Sequence, residues 1–266
     1  MQAMANMALR AARQAGQIMT RAMDRVDRLH IELKAHNDFV SNVDRESEDA
    51  IIEVLHKAYP DHGIYGEEHG ESFPSAEYTW IIDPLDGTLN FLQGVPHFCV
   101  SIACMKGRQF EHAVIVDPVC NEEFVASRGF GAQLNGKRIR VSQIGRLSEA
   151  VLATGIPPGS IAEHLEPYMA MMQDLTGTCR AIRRTGSAAL DLAYVAAGRF
   201  DGFWEPGLSQ WDIAAGTLLV REAGGFVGDL SGGDSFMDSG NIIAANPRCF
   251  KAMVQQIRPH MTPGLS

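Results

Sequence analysis

Trp80-Ile81-Ile82-Asp83-Pro84-Leu85-Asp86-Gly87-Thr88 is the stretch on which the reading of this chain turns. The apolar run that leads into it predicts a buried strand over residues 78–82 that ends by delivering Asp83. Pro84 is then expected to turn the chain, and Asp86 follows three residues after Asp83, so two carboxylates converge on one point. Hard oxygen ligands of this kind suit a divalent cation such as magnesium, with the Leu85 carbonyl exposed between them. Gly87 lets the backbone come close to a phosphate, while the Gly87 and Thr88 amides and the Thr88 hydroxyl offer donors to its oxygens. Asp-Pro and Asp-Gly are also ordinary turn pairs, so this segment alone leaves both readings open.

Working outward, Met4, Met7, Ala8, Ala11, Ala15, Ile18, Met19, Ala22, Met23 and Val26 recur at helical spacing and predict an amphipathic opening helix to about Arg28. A second helix is expected over residues 43–58, capped by Asn42 and stopped by Pro60, so that two helices precede any sheet. Residues 97–105, 111–116 and 122–126 read as further strands, and Leu134-Asn135-Gly136-Lys137 as a hairpin turn. Residues 1–148 thus predict helices on a mostly antiparallel sheet. In residues 149–266, strands at 151–154, 179–182, 202–205 and 226–229 alternate with helices at 162–175, 187–198 and 212–223, an α/β pattern. No linker marks the change of style, which predicts one unit with a shared interface.

Bulk properties narrow the function. The 266 residues are 45% hydrophobic, enough for a sizeable core, and the formal net charge of −9 argues against strong direct nucleic-acid binding, which needs a basic surface. No apolar run approaches the roughly 20 residues that span a bilayer, and the N-terminus lacks a signal-peptide core, so no membrane contact and a cytoplasmic location are expected. Five cysteines without a CxxC pair indicate neither a disulfide framework nor a zinc site and are expected to be buried thiols. The nine histidines lack zinc spacing; only His97, near the acidic stretch, draws notice. Gly129-Phe130-Gly131 lacks the third glycine of a dinucleotide fingerprint. Met169 to Met172 read as core packing.

Further carboxylates favour the metal reading. Gly66-Glu67-Glu68 follows a short apolar strand, and Trp211-Asp212 opens a helix whose N-terminus itself favours an anion. Taken singly, Asp212 is more simply a helix cap.

With these residues assembled, the chain resembles the inositol monophosphatase family over essentially its full length. The resemblance is carried by residues 80–88, by Trp211-Asp-Ile-Ala-Ala-Gly216 running into Glu222-Ala-Gly-Gly225, by Gly66-Glu67-Glu68, by Lys34 with Asp38 through Asp44, and by Gly186-Ser187-Ala188-Ala189. It implies a layered αβαβα sandwich, generally dimeric, with two or three Mg2+ ions per active site. Carried over by position, Glu67, Asp83 and the Leu85 carbonyl hold one ion, Asp83, Asp86 and Asp212 a second, and Thr88 oriented by Asp44 positions or deprotonates the attacking water. Asp86, Gly87, Thr88, Arg183, Gly186, Ser187, Ala188, Glu205 and Asp212 are the implied substrate contacts, with Glu205 accepting from ring hydroxyls. Ser187 stands where some members carry Thr, which bears on ring preference. The implied activity is lithium-sensitive hydrolysis of a polyol monophosphate, inositol-1-phosphate foremost, with fructose-1,6-bisphosphate and 3′-phosphoadenosine-5′-phosphate as alternative substrates. Arg183 through Leu192 most resembles a bacterial branch that also serves transcription antitermination, which implies RNA polymerase and Nus factors as partners.

Overall fold

The structure, a computed structural model, describes residues 2–23, 31–35 and 38–265. Helix α1 (Ala3–Met23) buries its alanine-rich stripe, Ala5, Ala8, Ala12 and Ala15, together with Met19; the expected run on to Arg28 lies outside the described residues. A hairpin of β1 (Ile31–Ala35) and β2 (Asp38–Ser41) separates α1 from α2 (Asn42–Ala58), so the two helices do not both precede the first strands. The cap of α2 is Ser41 rather than Asn42. Ser41 keeps an extended backbone (φ −117°, ψ 168°), and its hydroxyl accepts from the Val43 amide while Asp44 accepts from the Ser41 amide at 2.8 Å. Asn42 is already within the helix and cannot reach those orphan amides.

The first sheet contains β3 (Gly63–Gly66), β4 (Gly70–Ser72) and β5 (Tyr78–Asp86). After the short helix α3 (Thr88–Leu92) come β6 (Cys99–Lys106), β7 (Gln109–Asp117), β8 (Glu122–Ser127), β9 (Gly131–Leu134) and β10 (Lys137–Arg138). Their order is β10-β9-β8-β7-β6-β5-β3-β4, antiparallel except between β3 and β5. The predicted hairpin pairs Leu134 with Lys137 across Asn135 and Gly136, both at positive φ.

The second sheet alternates with helices: β11 (Val151–Thr154), α4 (Pro158–Thr178), β12 (Ala181–Arg183), α5 (Ala188–Ala196), β13 (Gly202–Glu205), α6 (Gln210–Glu222), β14 (Phe226–Gly228), α7 (Phe236–Ser239), β15 (Ile242–Ala245) and α8 (Pro247–Ile257). The expected α/β pattern holds for β11, β12 and β13, which run parallel. The unforeseen β15 pairs antiparallel with both β13 and β14.

Strand alternation distributes the layers. Trp80 and Ile82 of β5 join the core beneath α1 and α2, whereas Ile81 faces the core shared with α5 and α6. In the second sheet Phe203, Ile242 and Ala244 face α5 and α6, and Trp204, Ile243 and Ala245 face α4 and α8. The result is an αβαβα sandwich in which α5 and α6 form the middle layer. Met171 is buried as expected, but Met169 is 53% exposed, because α4 has only one covered face. Cys99, Cys104 and Cys249 are buried free thiols, whereas Cys120 is exposed and Cys179 half-buried. Among the described residues no helix is long and apolar enough to cross a membrane.

Candidate metal centre

Pro84 does not turn the chain. β5 continues through it to Asp86, and the register against β6 slips by one residue: Asp83 pairs with Ser101 and Asp86 with Cys99. Residues three apart in a regular strand point to opposite faces, so one extra residue in a β-bulge returns Asp86 to the face of Asp83. Proline is tolerated at such an irregularity because it interrupts the ladder anyway. The Asp83 carboxylate is braced by the Leu85 amide at 3.0 Å.

Asp86 projects to the N-terminus of α5. Its Oδ2 accepts from the Ser187 hydroxyl at 2.6 Å and from the Ala189 amide at 2.7 Å, where backbone donors favour an anion. Asp212 enters from the first turn of α6, where it accepts from the Ser209 amide at 2.7 Å. Ser209 is the cap of α6, and Asp212, inside the first turn, both reaches back to its amide and joins the cluster. One oxygen each of Asp83, Asp86 and Asp212 lies within 4.8 Å of the other two. Glu67, on the β3–β4 turn, lies outside that trio but close enough to raise the pKa of Asp83 and of Asp212.

Burial first, and mutual repulsion second, hold Asp83 well above the usual carboxylate range, and Asp212 behaves likewise. Asp86 is raised less, because the Ser187 hydroxyl and the α5 amides oppose its burial. Carboxylates crowded in this way repel one another unless a positive charge lies between them. The cluster offers only oxygen donors, without histidine or ligating thiolate, which fits a hard divalent cation such as magnesium. Cys99 stands behind it, 3.9 Å from Asp86 Oδ2, and burial pushes its thiol well up.

Thr88 Oγ1 lies beside the cluster, 3.0 Å from Asp44 Oδ1 and 3.0 Å from the Leu85 carbonyl. Burial raises the Asp44 carboxyl, and hydrogen bonds from Ser41 and Thr88 partly offset the rise. Gly87 has φ +95°, and a Cβ there would press on the Gly186 carbonyl and the His97 backbone. The segment at Gly87 and residues 185–187 therefore approach each other closely, as only glycine permits.

Glu205 ends β13, is 7% exposed, and burial pushes its carboxyl well up, with Asp191, Asp212 and Asp86 adding repulsion. Of the two exposed adjacent arginines, Arg183 donates to the Ile182 carbonyl, and Arg184 is the one whose charge acts on Glu205. Ser187 is 1% exposed and committed to Asp86, Ala188 is buried, and Gly186 is exposed. His97 contributes its carbonyl rather than its ring: Asn90 Nδ2 donates to the carbonyls of His97 and Thr185, both at 2.8 Å. Asn90 and Asp191, which accepts from the Thr185 hydroxyl at 2.6 Å, were not singled out from sequence. Only the asparagine's place in the stretch after Gly87-Thr88 could have drawn attention to it.

Comparison with known proteins agrees with this architecture. The model of the inositol monophosphatase family matches residues 1–262. The chain is 53% identical to the protein called Nus factor SuhB of Pseudomonas aeruginosa, over 100% of this chain and 99% of that one. The crystal structure of extragenic suppressor protein suhB from Bartonella henselae superposes with a TM-score of 0.94 at 42% identity, covering 98% of this chain and 100% of its own. An inositol monophosphatase from Anabaena (Nostoc) superposes with a TM-score of 0.86 at 35% identity, covering 96% and 94%. With a matching family model over residues 1–262 and the same overall fold in the Anabaena structure, this chain belongs to the inositol monophosphatase family.

Proposed function

We propose that the protein is a magnesium-dependent phosphomonoesterase that hydrolyses a polyol monophosphate, inositol-1-phosphate foremost, to the free alcohol and phosphate. The observation that carries this reading is the bulge that turns Asp83 and Asp86 to one face beside Asp212, with the Thr88–Asp44 pair next to them. Glu67, Asp83, Asp86, Asp212 and the Leu85 carbonyl would hold the cations. Bound magnesium would supply an acidified water and offset the charge growing on the leaving ester oxygen.

The side chains divide the remaining work. Asp44 orients the Thr88 hydroxyl, whose oxygen is placed to accept a proton from the attacking water and pass its own to Asp44. The Gly87 and Thr88 amides lie at the start of α3, where they can donate to phosphate oxygens. Water oxygen bonds to phosphorus, the ester P–O bond breaks, the leaving alkoxide oxygen takes a proton from solvent water, and Asp44 returns to solvent the proton it received. Glu205 accepts from the hydroxyls of the alcohol, and Arg184 balances its charge.

The test is phosphate release from inositol-1-phosphate, fructose-1,6-bisphosphate and 3′-phosphoadenosine-5′-phosphate, with and without magnesium. Turnover of inositol-1-phosphate should require magnesium and fall by ~10²–10³-fold in Asp83→Asn, the scale set by removing a preorganised electrostatic group. Magnesium-independent turnover would overturn the mechanism, and preference for another phosphate ester would replace the substrate.

A second reading is favoured by the name of the Pseudomonas aeruginosa relative, Nus factor SuhB. On that reading the chain also binds the transcription machinery, RNA polymerase or Nus factors, through a surface separate from the cluster. It predicts co-purification with polymerase that persists in Asp212→Asn; absence of association in both proteins would refute it.

A further inference from the structure

Glu67 sits on a turn, yet the turn is tied to helix α2 through one side chain. Glu48 of α2 is fully buried. Its Oε1 accepts from the Glu68 amide at 3.1 Å, and its Oε2 accepts from the His69 amide at 2.8 Å and meets His69 Nδ1. On the other side of Glu67, Gly66 lies so close to this carboxylate that any Cβ would fall within it. Glu67 itself donates its amide to the Ile82 carbonyl at 3.2 Å, one residue before Asp83. The backbone is thus held before, at and after Glu67. The same helix adds outer contacts: Asp49 Oδ1 lies 3.2 Å from His69 Nε2, and Arg45 pairs with Glu68 at 3.9 Å.

One helical turn before Glu48, on the same face of α2, Asp44 holds Thr88. A single rigid helix therefore carries both the side chain that orients Thr88 and the side chain that anchors Glu67. An apolar side chain would fill the Glu48 site without the cost of burying a carboxylate, whereas Glu48 commits its oxygens to the two amides that follow Glu67.

We propose that Glu48 is a positioning residue for Glu67: it presets the β3–β4 turn so that Glu67 meets the cation without reorganisation, and divalent-cation affinity depends on it. The proposal rests on reading the acidic cluster as a cation site. Outer partners of ligands characteristically tune metal affinity by ~10–100-fold.

The test is equilibrium binding of Mn2+ alone, by titration calorimetry, to wild type, Glu48→Gln and Asp83→Asn, beside the magnesium dependence of phosphate release. Glu48→Gln should weaken Mn2+ by ~10–100-fold and raise the magnesium needed for half-maximal rate by the same factor. The KM for inositol-1-phosphate at saturating magnesium should stay unchanged. A merely structural role would lower the melting temperature and leave Mn2+ affinity of the folded variant as in wild type, and that result overturns the proposal. If Asp83→Asn binds Mn2+ as wild type does, the cation site and this proposal fall together; if only Glu48→Gln is unaltered, this proposal falls alone. Should Glu48→Gln not fold, His69→Ala replaces it, since that side chain is half exposed. It should weaken Mn2+ in the same direction, and unchanged affinity there overturns the proposal.

Discussion

Asp86 and Glu205 lie close enough to perturb each other, yet their surroundings are built differently. Asp86 receives a hydroxyl and a backbone amide on one oxygen, and Asp83, Asp212, Asp44 and Glu48 each receive at least one backbone amide. Around Glu205, among the described residues, no hydrogen bond reaches the carboxylate; it is buried against three other acids with Arg184 as its opposing charge. The acids of the cluster are fixed by donors from the chain before any ligand arrives, whereas Glu205 keeps its acceptors open. Burial raises the pKa on both sides, of Asp83 and Asp212 as of Glu205, and at Asp86 the donors hold the rise down.

The contrast can be broken or sharpened by experiment. The largest effect belongs to the preorganised side: Asp44→Asn leaves Thr88 a partner of similar shape that no longer takes up a proton, so kcat should fall by ~10²-fold or more with KM little changed. A loss confined to KM would remove Asp44 from the chemistry. On the open side, Glu205→Gln should raise KM for inositol-1-phosphate by about tenfold, equivalent to ~1.4 kcal/mol of lost hydroxyl binding, and leave the magnesium requirement alone. An altered magnesium requirement would show that the two regions are not separable.

The smallest effect is on stability. The folded-state pKa values of Glu205 and Asp191 lie well above their ordinary values of 4.5 and 3.8. Between those values and the raised ones the fold holds protons that the unfolded chain releases, so the stabilisation is complete below the ordinary values and is lost as pH rises. In chelator, the melting temperature of wild type should therefore decline as pH rises above about 4.5, and Glu205→Gln should flatten that decline. An equally steep decline in the variant would mean that Glu205 is not the group responsible.

Much of this was legible locally. Strands at 151–154 and 202–205 coincide with β11 and β13, because short β-branched or aromatic runs between turn residues declare themselves. Residues 242–257, which form β15 and α8, were passed over, although Asn246 and Pro247 supply a helix start. The capping of α2 was misplaced by one residue, within the ordinary play of helix ends.

Sequence alone determined that Asp83, Asp86, Glu67 and Asp212 are acids beside glycines, prolines and helix starts, a set of oxygen donors of the kind that suits a hard cation. Residue type and short spacing carry that information. Tertiary structure decided that Pro84 sits in a bulge rather than a turn, that Ser187 is aimed at Asp86, that Arg184 acts on Glu205, and that Glu48 anchors residues twenty positions away. The physical reason is common to all four. Sheet register and helix packing select which distant polar groups meet, and local propensity is blind to that selection.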